Sequence, residues 1–154
     1  MSNLNQILAC AGPWQGANRL YTSPQCAADE SPSTLTVTPL LRGTFVRLDQ
    51  TWAWEGKPQE GSLLIGFDSD AKQVALHWID TFHMSRKVMV CSGVLRGDGV
   101  IEVRGGYAAP PGPDWGWRIE IMAEPPARIE IRMFNIDPAG QEALAVLATY
   151  APAL

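Results

Sequence analysis

The sequence predicts an all-β fold: a closed, antiparallel, up-and-down barrel of about ten strands behind a short N-terminal segment. Three observations predict it. A glycine-flanked tryptophan, Gly12-Pro13-Trp14-Gln15-Gly16, opens the chain. Segments of alternating apolar and polar residues then recur roughly every ten residues. No helical period separates them, so sequential strands are expected to pair in a meander that closes on itself.

Taken in order, residues 1–11 are expected to form a short helical plug ending before Gly12-Pro13. Strands are expected at Trp14–Tyr21, Thr34–Leu41, Thr44–Trp54, Ser62–Phe67, Gln73–Asp80, Lys87–Leu95, Val100–Tyr107, Trp115–Ala123, Arg128–Ile136 and Ala143–Tyr150. The turns have chemistry to match. Arg42-Gly43, Asp68-Ser69-Asp70 and Gly97-Asp98-Gly99 suit tight reversals, several of them tolerant of positive φ. Glu124-Pro125-Pro126-Ala127 and Asp137-Pro138-Ala139-Gly140 are proline turns. Two connections are long, Thr22–Ser33 and Ala108–Asp114, and are expected near the barrel mouth.

The 154 residues fit one domain with a real core. Apolar residues are 46% and charged residues 18%, the balance of a folded chain. Net charge is −4 without a basic stripe, which argues against nucleic acid. No apolar run reaches the ~20 residues of a membrane helix. Ile7-Leu8-Ala9-Cys10 faintly resembles a lipoprotein cleavage box but lacks a positive flank and an adequate apolar stretch. Three scattered cysteines without a CxxC spacing read as reduced thiols, hence a cytoplasmic protein. Cys91 reads as a small buried hydrophobe.

Strand side chains alternate, so energetics choose the inward face. In the third strand Val46, Leu48, Gln50, Trp52 and Trp54 oppose Phe45, Arg47, Asp49, Thr51 and Ala53. Two indoles in water would expose roughly 300–500 Å2, forfeiting several kcal/mol at about 25 cal/mol per Å2. Burying Arg47 and Asp49 would cost more again. Trp52 and Trp54 are therefore expected inside. By the same reasoning Ile101, Val103, Tyr107, Trp115, Trp117, Ile119, Ile121, Ile129, Ile131 and Met133 point inward. Glu102, Arg104, Arg118, Glu120, Arg128, Glu130 and Arg132 point outward. The fifth and tenth strands are apolar on both faces, which leaves their orientation open and makes a second copy of the chain the candidate protein partner.

Polar residues on inward faces are the candidate site, because each needs a partner. Gln50, Asn135, Tyr107 and, if its face is inward, Asp80 are such residues. Asp80, His83 and Ser85 also form the nearest approach to a catalytic constellation, since a carboxylate can orient an imidazole for proton transfer. The competing reading is that Asp80 and His83 cap a turn. No nucleophile elbow occurs, and two histidines, His77 and His83, are too few for a zinc site. Gly105-Gly106 reads as a strand bend. The tryptophans either fill the core or line a pocket for a flat, apolar ligand.

Gly12–Gly16 is similar to the opening signature of calycin barrels, the group of lipocalins, fatty-acid-binding proteins and nitrobindins. Gly12–Tyr150 as a whole resembles an uncharacterised bacterial family of calycin-like barrels, a domain of unknown function. The resemblance rests on Trp78-Ile79-Asp80-Thr81-Phe82-His83-Met84-Ser85, on Pro113-Asp114-Trp115-Gly116-Trp117-Arg118, and on Met133-Phe134-Asn135-Ile136-Asp137-Pro138-Ala139-Gly140, and ends with Ala145 to Tyr150. It implies a ligand-sized cavity and no established activity. In lipocalins the opening tryptophan packs on a basic residue near the C-terminus; here Glu142–Leu154 has no Arg or Lys. The broken Thr22–Ser33 segment does not suit the two-helix portal of fatty-acid-binding proteins. Nitrobindin-like calycins hold haem by a histidine. That ligand would be His77 or His83, and the resemblance places it at neither, so no cofactor and no metal are expected.

The expected function is binding of a small, largely apolar molecule in the lumen. Trp52, Trp54, Trp117 and Tyr107 would give surface; Gln50, Asp80, His83 and Asn135 would give polar contacts. The alternatives are a small enzyme using Asp80 and His83, or a dimeric interaction module.

Overall fold

A computed structural model describes residues 4–154, so the first three residues of the expected plug lie outside the described residues. The element order is α1 (Asn5–Leu8), β1 (Gly12–Leu20), β2 (Asp29–Leu40), a 3-10 turn (Leu41–Gly43), β3 (Phe45–Trp54), β4 (Lys57–Asp68), β5 (Gln73–Asp80), β6 (Met89–Leu95), β7 (Ile101–Tyr107), β8 (Trp115–Glu124), β9 (Arg128–Ile136) and β10 (Glu142–Pro152). Each strand pairs antiparallel with its sequence neighbours, and β10 closes on β1. The fold is the expected ten-strand meander. Among the described residues no helix is long and apolar enough to cross a membrane.

Two strands begin well before their expected starts, at Asp29 and Lys57 rather than at Thr34 and Ser62. Pro32 and Pro58 argue against strand in the sequence. Both are tolerated because the ladder is one-sided there. Pro32 pairs with Ala17 before β3 joins β2 at Thr34, and Pro58 pairs with Ala53 before β5 joins β4 at Gly61. A two-residue hairpin with both residues at positive φ, Glu55 (47°) and Gly56 (79°), joins β3 to β4.

The base of the barrel is covered by α1. Leu4, Ile7 and Cys10 are buried there with Trp14. The Trp14 indole donates to the Cys10 carbonyl at 2.7 Å. The chain's own N-terminal turn thus supplies the partner that the C-terminal segment, without a basic residue, does not.

The open faces resolve as follows. Val74, Leu76, Trp78 and Asp80 of β5 point inward, leaving Ala75, His77 and Ile79 outside. In β10 the register shifts between Leu144 and Val146, and beyond it Val146, Ala148 and Tyr150 face the core. Three inward assignments need correction in degree: Trp54, Trp115 and Tyr107 are only half-buried, because each stands at a strand end beside the mouth. Glu130 needs correction in kind. It lies on the outer face yet is buried, since Arg128 and Arg132 fold over its two carboxylate oxygens. Cys91 is buried and burial pushes its thiol up to about 11. Gly105 sits inside β7, where a Cβ would come 2.7 Å from the Cys91 sulfur, so it makes room rather than a phosphate cradle.

Candidate functional site: a cavity at the barrel mouth and an aromatic box

Five connections meet at the end opposite α1: residues 21–28, 55–56, 81–88, 108–114 and 137–141. Between them and the upper strands lies a cavity of about 660 Å3. The two long connections expected at the mouth both border it, through Tyr21–Pro24 and Ala108.

Its floor is aromatic. Trp78 of β5 and Trp117 of β8 stack at 5.3 Å between centroids with 15° between planes. The His83 ring lies against both, 5.3 Å from each, and Phe82 meets it edge-on at 4.7 Å. Tyr107 stands edge-on to Trp117 at 6.4 Å. Strand parity explains the convergence: Trp78 and Trp117 are inward positions, and the turn after β5 folds Phe82 and His83 back over them.

Asp80 makes that turn. Its side chain is fully enclosed. One carboxylate oxygen accepts the backbone N–H of His83 at 2.6 Å and of Met84 at 2.8 Å. The other contacts His83 Nδ1 at 2.6 Å. A carboxylate oxygen accepts, so that contact places a ring proton on Nδ1. Both sequence readings of Asp80 therefore meet in one residue: it anchors the turn backbone and it orients the imidazole. Ser85 borders the cavity, and no hydrogen bond links it to His83.

Tyr107 donates to the Asn135 side-chain oxygen Oδ1 at 2.5 Å, and burial raises the phenol against the opposing effect of that bond. Asn135 pairs directly with Trp117 across β8 and β9. At the rim, hydrogen bonds from Arg118 hold the Glu142 carboxyl below its usual range. Glu142, Asp137 and Lys87 belong to the lining, which carries no cationic cluster for an anionic head.

The structure brings His83, Tyr107, Trp117 and Asn135 together around this space, with Asp80 enclosed behind His83. It does not bring Gln50, Trp52 or Trp54 to the same wall. Gln50 lies deeper, donating to the Tyr150 hydroxyl at 2.8 Å, which is also bonded to Ser33 Oγ at 2.8 Å. Trp52 lies beneath His83, and Trp54 packs on Phe82 at 5.4 Å. His77 is exposed on the opposite face of β5, so of the two histidines only His83 borders the cavity. Phe82 is not among the expected contacts; Trp78, which shares a face with Asp80, fits the expectation that the tryptophans fill the core or line a pocket.

The barrel overlays on Rv2717c from M. tuberculosis over 100% of this chain and 99% of that one, with a TM-score of 0.62 at 14% identity. That likeness shows a common fold. A protein named "putative thioesterase II" from Thermobifida fusca matches at a TM-score of 0.25 and 8% identity over 94% of this chain and 79% of that one, too little to carry an argument. No curated protein matches the chain. A family model does match, over residues 4–151, and the chain accordingly belongs to the family described as protein of unknown function (DUF1579).

Proposed function

We propose that the protein binds a small, flat, largely apolar molecule in the cavity at the barrel mouth. The observation that carries this reading is the box of Trp78, Trp117, Phe82, Tyr107 and His83 around an open space of about 660 Å3, a volume suited to a drug-sized ligand. Apolar walls supply the affinity and Asn135 and His83 supply the polar contacts. The lining carboxylates disfavour an acidic head. The same reading sets the chain among calycin-like barrels of bacterial origin. It also sets it in the cytoplasm, a compartment that suits three free thiols.

Native mass spectrometry of protein purified from its own host tests the reading. The expected result is a bound mass whose affinity falls about tenfold or more in Trp117→Ala, the usual cost of losing a central aromatic contact. A protein that carries no guest from its host counts against it.

The Asp80–His83 contact at 2.6 Å favours a second reading, an acid–base enzyme with Asp80 positioning His83. It expects pH-dependent turnover of the bound molecule that disappears in His83→Gln. Turnover unchanged by that substitution removes it.

A further inference from the structure

Beneath His83 lies a second, much smaller chamber. Its volume, about 10 Å3 for the centre of a water molecule, is that of a site for one water. Asn18, Gln50, Trp52, Trp78, Asp80 and His83 are among its walls. His83 and Trp78 also line the large cavity, so the two spaces adjoin there.

The chemistry of this chamber is lopsided. Among the described residues, three buried side-chain polar atoms have no hydrogen-bond partner: Asn18 Nδ2, Trp52 Nε1 and Trp117 Nε1. All three are donors. Two of them, Asn18 and Trp52, belong to walls of this one chamber, on strands β1 and β3. Asn18 and Trp52 are 2% and 7% exposed, so bulk water does not satisfy them. An unpaired buried donor is costly, and two around one void specify the complementary group, an acceptor. Neither donor reaches the neighbouring network: Gln50 donates its NH2 to Tyr150, and Asp80 accepts from His83 and Met84.

We propose that this chamber is a binding site for one hydrogen-bond-acceptor oxygen, held by Asn18 Nδ2 and Trp52 Nε1. A water molecule fills it in the free protein, and the carbonyl oxygen of a lumen guest can take its place. The first half stands on the chamber alone; the second rests on the ligand reading above.

The test counts long-lived buried waters by 17O magnetic relaxation dispersion in the wild type and in Asn18→Leu, a near-isosteric change. The expected result is one water fewer in Asn18→Leu, with a Tm lowered by roughly 2–6 °C. The sign of the Tm change is diagnostic. If the chamber is dry, removing an orphaned donor relieves a penalty. An unchanged water count with an equal or higher Tm therefore overturns the proposal. Trp52→Phe gives the same water count readout should Asn18→Leu not fold.

Two aromatic probes then identify the source of the oxygen. Saturation with 2-acetylnaphthalene, but not with 2-ethylnaphthalene, should remove one long-lived water from the wild type and should bind at least fivefold tighter than the hydrocarbon. If both probes bind and the water stays, the second half is overturned and the first stands. If neither probe binds while Asn18→Leu still loses a water, the failure lies with the ligand reading and not with the chamber.

Discussion

Trp78→Ala is expected to cost the barrel about 3–5 kcal/mol, the range for removing a large aromatic from a packed core. For a chain of this size that is a fall in Tm of roughly 6–20 °C. Trp78 is 1% exposed and among the largest fully buried side chains. It forms one half of the stack with Trp117 and supports the His83 ring. It also borders both the cavity and the inner chamber, so its loss leaves a void that the rigid closed sheet cannot collapse around. Trp78→Phe should recover part of the loss by keeping a ring in place. Thermal melts followed by circular dichroism decide the matter: a Trp78→Ala barrel melting within about 2 °C of wild type would remove Trp78 from the core.

Asp80→Ala is expected to cost about 2–4 kcal/mol, because it strands two backbone N–H groups and the His83 Nδ1–H at once. Asp80→Asn separates the two roles of the residue. Its carbonyl oxygen can still accept from His83 and Met84, so the turn holds and most of the stability returns. Its NH2, however, now faces Nδ1 as a donor, which forces the ring proton to Nε2. Nitrogen NMR of the imidazole should therefore report an Nδ1–H tautomer in the wild type and an Nε2–H tautomer in Asp80→Asn. The same tautomer in both proteins would show that Asp80 only caps the turn.

Architecture was legible because alternation, turn residues and the absence of a helical period all agree. The misjudged starts at Asp29 and Lys57 trace to Pro32 and Pro58. A proline is excluded from a strand only where its missing N–H faces a partner, and which stretches are one-sided depends on the staggered closure of the barrel. The site was legible in part. Parity put Gln50, Trp52, Trp117 and Asn135 inside, and the structure has each of them there or at the rim. Parity carries no information about height along the barrel axis. Gln50 is committed to Tyr150, a hundred residues away in sequence, and that pairing depends on the register shift near Ala145. Glu130 escaped for a related reason: its burial comes from the arginines two residues to either side, whose side-chain directions alternation does not describe.

The short N-terminal turn has one last implication. By stoppering the tube at its foot, it leaves the mouth as the opening among the described residues, so a guest of the kind proposed above would arrive and depart through the same gap.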